Sequence, residues 1–300
     1  MRPSHSKTWL EVALNGPWSR SRQPNIPVAV AEIVEQAVAC ASAGAAIVHV
    51  HAYDEATGRQ KDDADIYARI IEGIRGRVDA IVYPTVPTTG LPGMPDNPSP
   101  AERFAHLETL ARRGLIEWAV VDPGSTNFSR YDELREDRPG FVYLNPEEHV
   151  RYGLHLAMRY GFHPSYAIYE PGFLRLGASL HWRESCPAPV YRFMFSRGFT
   201  FGFPPEDYGI TAYLNLLDQV APGARWMVAG LDVDVMPLIP RTVMEGGGVR
   251  VGLEDAPFGC QKSNVRLVEE AARIIVNSGG ELAAAADVRA ALAPELSAEV

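Results

Sequence analysis

Eight short β-rich runs, each followed by a helical pattern, in 300 residues without a linker or charge block predict an α/β fold closed as one (β/α)8, or TIM, barrel. The chain is 46% hydrophobic, which supplies a sizeable core. No GxGxxG follows the first run, so a doubly wound dinucleotide-binding sheet has no support. The expected domain covers 1–300, with about 293–300 read as a disordered tail.

The elements follow in order. LEVALNG (10–16) is the first strand, and its Asn-Gly ending marks the turn toward a helix over Val28–Ala43. AAIVHVH (45–51) is the second, followed by helix Ala64–Arg75. DAIVYPT (79–85) precedes helix Ala101–Arg113, and EWAVVDPG (117–124) precedes helix Pro146–Tyr160. SYAIYEPG (165–172) and PVYRFMFS (189–196) lead into Phe173–Arg183 and Asp207–Val220. RWMVAGLD (225–232) is followed by Met236–Glu245, and GVRVGLED (248–255) by Ser263–Ser278, where Ser263 is placed as the N-cap. Gly246–Gly248 precedes the eighth strand, so it reads as a turn on the N-terminal face rather than a phosphate cradle.

A formal net charge of −9 with interspersed signs argues against a general nucleic-acid binder, which needs a basic face. Three separated cysteines form no disulfide framework or CxxC pair, which suits a reducing compartment. No run approaches the roughly 20 apolar residues that span a bilayer. A cytoplasmic protein is the resulting expectation.

Active-site groups of such barrels come from the C-terminal strand ends. There the sequence places His49 and His51, Tyr83 and Thr85, Asp122 with Ser125, Thr126 and Asn127, Glu170, and Glu254 with Asp255. His49 and His51, two apart on a strand, present their rings to one side. Two neutral imidazoles with a carboxylate make a zinc-type site, whereas two half-buried histidines bonded to backbone or water make none. Glu254 is the best third ligand, against a solvated turn or a structural Arg250–Glu254 pair. Asp255 is then free as a general base beside the Arg250 cation. Glu170 serves the site or caps the next helix, and Ser125 with Asn127 line a pocket or hold a turn.

AGAAIVHVH, DPGSTNF, YEPGFL and GGGVRVGLEDAPF followed by SNVRLVEEAARI together resemble the β-keto acid cleavage enzyme family, over nearly the whole chain. The resemblance implies a zinc-dependent TIM barrel that condenses a β-keto acid with acetyl-CoA to give acetoacetate and a CoA ester. It implies His49, His51 and Glu254 as zinc ligands, Asp255 in proton transfer with Arg250 as its partner, Glu170 as the acid after strand five, and Ser125 and Asn127 in the pocket loop. A homo-oligomer is implied too. HVHAYD carries Tyr53 where the family keeps an arginine, and Trp18 stands where an acid contacts the amine of 3-keto-5-aminohexanoate. Trp18, Tyr53 and Thr85 are therefore expected around an acyl group other than that cationic one. The CoA-facing loops also diverge, and Lys262 and Arg197 are the candidates for phosphate contacts. Two further readings stay open: a metal-dependent hydrolase or lyase without CoA, and a non-catalytic homologue that keeps its metal.

Overall fold

In the computed structural model, which describes residues 7–90, 98–184 and 186–293, each β-rich run contains a strand. They are β1 (Leu10–Ala13), β2 (Ile47–Val50), β3 (Ile81–Pro84), β4 (Trp118–Val120), β5 (His163–Ile168), β6 (Val190–Phe195), β7 (Trp226–Gly230) and β8 (Gly248–Val251). All pair in parallel, in the hydrogen-bonded order β3-β2-β1-β8-β7-β6-β5-β4. The circle closes through side chains, since Tyr83 on β3 and Trp118 on β4 place ring centroids 5.8 Å apart. The expected TIM barrel is thus the fold.

Among the described residues, nine helices surround it: α1 (Val30–Ser42), α2 (Ala64–Arg75), α3 (Pro100–Arg112), α4 (Glu147–Tyr160), α5 (Pro171–Glu184), α6 (Asp207–Val220), α7 (Ile239–Met244), α8 (Asn264–Asn277) and α9 (Ala285–Leu292). Local chemistry fixes several starts. The Asp63 carboxylate accepts from the amides of Asp65 (2.9 Å) and Ile66 (3.2 Å) ahead of α2. Ser99 and Glu102 form a capping box at α3, and Ser263 caps α8 as expected. Ahead of β8, Gly246 lies at φ +75° and Gly247 packs against the Trp226 ring, which leaves a turn at the N-terminal face.

Strand residues alternate between two burial environments. Leu10, Val12, Val48, Val82 and Val249 face the helices, as parallel strands covered on both sides require. The other set points into the barrel, where apolar layers are usual. Here that set includes Glu11, His49, Tyr83, Arg192 and Arg250, all buried. Register sets Glu11 beside Arg250 and His49 beside Tyr83. A charged interior of this kind persists only when its members are paired or serve a ligand.

Two hairpins on the C-terminal face go beyond the sequence expectations: Tyr53–Asp54 with Arg59–Gln60 after β2, and Thr126–Phe128 with Phe141–Tyr143 after β4. A one-turn helix at Tyr131–Arg135 lies inside the second. Beyond Ala293 the expected tail lies outside the described residues. No described helix is long and apolar enough to cross a membrane.

Candidate active site and metal centre

The site begins where β1, β2 and β8 end together. The Asn15 side chain, just past β1, accepts from the His51 amide (2.9 Å) and donates to its carbonyl (3.0 Å). This amide clamp fixes the backbone on which His49 and His51 present their rings, edge to face with centroids 5.1 Å apart. His49 also lies over Tyr83, at 4.6 Å.

Beyond β8 the chain passes Gly252 at φ +139°, where a Cβ would lie 2.1 Å from the Ala13 carbonyl oxygen. That close crossing delivers Glu254 to the two histidines. Its Oε1 lies 3.4 Å from His51 Nε2 and its Oε2 3.5 Å from His49 Nε2. One ligand atom from each of the three residues falls within 4.8 Å of the others. His49 Nδ1, His51 Nε2 and Glu254 Oε2 are buried and make no hydrogen bond. Buried polar atoms are normally paired, so three residues that each carry an orphan and bring ligand atoms this close fit a divalent cation. Gly16, at φ +65°, leaves room for this arrangement, since a Cβ there would sit 2.7 Å from Glu254 Cγ.

Neighbours set the protonation states that a metal needs. Gln60 Nε2 donates to both Asp62 oxygens (3.0 and 2.9 Å), which turns its amide oxygen to His51 Nδ1, 2.9 Å away. Nδ1 therefore carries the proton, and the Nε2 lone pair is left for a metal. Burial holds His49 well below the usual histidine range, hence neutral. Burial alone would raise Glu254, but Arg250 and the two histidines outweigh it and hold the carboxyl well below its usual range.

Arg250 is bonded on every side. Its Nε and Nη2 donate to Asp255 at 2.7 and 2.8 Å, Nη2 also meets Glu254 Oε1 at 2.9 Å, and Nη1 meets Glu11 Oε1 at 3.3 Å. Burial pushes Asp255 up to about 6, against the pull of Arg250. Asp255 stands behind Arg250, beside a separate cavity with Val251 and Lys262, while Arg250 and Glu254 face the one that the histidines line.

The cavity that the histidines line runs to an aromatic wall. Phe128, Phe141 and Tyr143 from the second hairpin and Tyr169 from the end of β5 form that wall, with Thr85, Asp122, Arg192 and Leu231 around it. Phe128 is its hub, with Phe141, Tyr143, Tyr169 and Phe201 centroids 4.9–5.3 Å away. Asp122, raised by burial, is held by the Ala167 amide and the Tyr143 hydroxyl, both at 2.7 Å. A larger concavity lies at the opposite face around His163, Cys186 and Trp226, where no described cluster has metal-ligating spacing.

The expected residues divide accordingly. His49, His51, Glu254, Arg250, Thr85 and Trp18 line the cavity. Trp18 also donates from Nε1 to the Glu254 carbonyl (2.8 Å). Tyr53 stands behind the cavity and donates its hydroxyl to the carbonyls of Gly16 and Trp18, so it braces the β1–α1 loop rather than facing an acyl group. Ser125 and Asn127 are exposed on the hairpin, where Ser125 Oγ accepts from the Asn145 amide (2.8 Å); they are off the cavity wall because the hairpin turns Phe128 inward instead. Glu170 also sits outside the cavity wall and ties Thr126 (3.4 Å) to the Gly202 amide (3.3 Å). Lys262 and Arg197 are engaged at the surface by Glu270 and Glu206, both at 2.5 Å. Glu11, Gln60, Arg192 and the aromatic wall were not among the expected site residues. For Glu11 and Arg192 the signal was present: one charge inside an otherwise apolar strand.

The fold agrees with what the chain resembles. It is 27% identical over 293 residues to the 3-oxoadipate:acetyl-CoA acetyltransferase of Cupriavidus necator, covering 94% of this chain and 93% of that one. It is 26% identical over 286 residues to the 3-dehydrocarnitine:acetyl-CoA trimethylamine transferase of Rhizobium meliloti, covering 90% of each. Among solved structures, apo ObcA superposes with a TM-score of 0.69 at 17% identity, over 90% of this chain; the chain spans 65% of ObcA's length. At that identity the likeness concerns the fold. The beta-keto acid cleavage enzyme family matches residues 7–293, and the chain belongs to that family.

Proposed function

We propose that the protein is a zinc-dependent enzyme that condenses a β-keto acid with acetyl-CoA, giving acetoacetate and the CoA ester of the shortened acid. The convergence of His49, His51 and Glu254, each with an unpartnered buried atom, carries this reading. Family membership and relatives whose names specify acetyl-CoA support the co-substrate. The exchange balances: R–CO–CH2–COO⁻ and CH3–CO–S–CoA give CH3–CO–CH2–COO⁻ and R–CO–S–CoA.

When bound, zinc supplies Lewis-acid polarisation of the keto oxygen. The chain supplies the rest. Asp255, pushed up to about 6, has the proton affinity of a base, but it stands behind Arg250 and off the wall of this cavity, so its reach to carbon 2 is what the Asp255→Asn variant tests. Arg250 keeps Glu254 ionised as a ligand and holds Asp255 in place. The aromatic wall excludes water from the acyl end and presents no free carboxylate to a primary ammonium, since both Asp122 oxygens are taken.

The test is a panel of β-keto acids incubated with zinc-loaded protein and acetyl-CoA, with acetoacetate and new acyl-CoA read by mass spectrometry. CoA-dependent acetoacetate, fastest for acids with apolar or aromatic acyl groups, is expected. Silence across the panel overturns the reaction, and fastest turnover of 3-keto-5-aminohexanoate overturns the specificity.

A further inference from the structure

Arg192 lies near the middle of β6, which stands across the barrel from β2 and its histidines. It is 2% exposed and lines the same cavity as His49 and Glu254. Its Nε has no hydrogen-bond partner, and among the described residues no carboxylate forms an ion pair with it. Asp122, a neighbouring acid, is already committed to Ala167 and Tyr143. Glu11, another, meets Tyr83 (2.5 Å) and Arg250 through Oε1 alone; its buried Oε2 has no hydrogen-bond partner, but Glu11 forms no ion pair with Arg192. Burying a guanidinium without a counter-ion is among the costlier arrangements in a protein interior, so a cavity-lining arginine of this kind is suited to an anion from outside.

Arg250 is poorly suited to that task. Its donors are spread over Asp255, Glu254 and Glu11, and an incoming carboxylate would displace one of them. Arg192 keeps a donor available on the far side of the cavity from the ligand triad. We propose that Arg192 is the carboxylate anchor of the substrate site: it pairs with the carboxylate of the β-keto acid while the keto oxygen faces His49, His51 and Glu254. The assignment rests on reading this cavity as the β-keto acid site. It divides the labour, with one buried arginine structural and the other reserved for ligand.

Calorimetry on zinc-loaded protein, without acetyl-CoA, tests it. Acetoacetate is compared with methyl acetoacetate, which keeps both carbonyls and lacks the charge. Wild type should favour acetoacetate by about tenfold to a hundredfold, the range of a charge-assisted pair. In Arg192→Met the ratio should fall to within about twofold. No preference in wild type, or a wild-type ratio in Arg192→Met, overturns the assignment. Should Arg192→Met fail to fold, Arg192→Lys decides on the same ratio: a fall of about fivefold supports the guanidinium anchor and an unchanged ratio overturns it. The assay needs no turnover. Arg192-dependent carboxylate preference with a silent acyl-transfer panel keeps the anchor and removes the proposed reaction; turnover with the preference intact in Arg192→Met does the reverse.

Discussion

The two sides of the cavity are built differently. On the β1, β2 and β8 side, Asn15, Gln60, Arg250 and Trp18 each hold another site residue by hydrogen bonds, and unpaired buried atoms remain on His49, His51, Glu254 and Glu11. On the β4, β5 and β6 side, aromatic faces and one unpaired arginine form the wall. The first side is fixed by hydrogen bonds, the arrangement that a preset ligand geometry would require. The second is held mainly by ring packing, which tolerates changes of shape, and that is where acyl specificity can drift without disturbing the chemistry.

The largest effect should come from the rigid side. Glu254→Gln removes the one carboxylate of the proposed ligand set while keeping its volume. Zinc content by mass spectrometry should collapse, and the acyl-exchange rate should fall by about a thousandfold or more, the several kcal/mol that a Lewis acid supplies. A zinc-replete, active Glu254→Gln protein would remove the metal centre and with it the contrast between the two sides.

Asp255→Asn comes next, and it separates two roles for one carboxyl. As proton acceptor, Asp255 accounts for roughly 10²–10⁴ of kcat, with KM little changed. As a brace for Arg250 alone, its loss should raise KM and leave kcat within about tenfold. Steady-state kinetics with saturating acetyl-CoA distinguishes the two. Gln60→Ala, one shell out, should weaken zinc roughly 10–100-fold by freeing the His51 tautomer, read by chelator competition. Unchanged zinc affinity would show that the rigid side does not depend on its outer hydrogen bonds.

The same contrast explains what the sequence disclosed. The barrel was legible because each strand is a short apolar run and several helices open on a side-chain cap, such as Asp63 or Ser263. The metal side was legible because its residues are close in sequence, in HVH and RVGLED, with strand geometry fixing their directions. The other side was not. Phe128, Phe141, Tyr143 and Tyr169 are unremarkable aromatics until a hairpin of Thr126–Phe128 with Phe141–Tyr143 folds them over the barrel mouth. The same turn chemistry placed Ser125 and Asn127 in solvent, although DPGSTNF marks a strand end. Tyr53 shows a third case: its position two residues past His51 suggested the pocket, but its hydroxyl satisfies two loop carbonyls instead.

The smallest effect tests the tolerant side directly. Phe141 is partly exposed on the hairpin and packs on Phe128 at 5.2 Å, so Phe141→Ala should cost little stability. It removes apolar surface from the acyl end of the cavity while leaving the metal ligands untouched. For β-keto acids with large acyl groups kcat/KM should fall about tenfold, the scale of losing a few buried methylenes' worth of contact. For acetoacetate, whose acyl group is a single methyl, the change should stay within about twofold. Measuring both substrates against the same variant isolates the wall from the chemistry. An equal loss for large and small acids would mean that the hairpin supports the metal side after all, and the division of the cavity into a rigid and a tolerant half would fail.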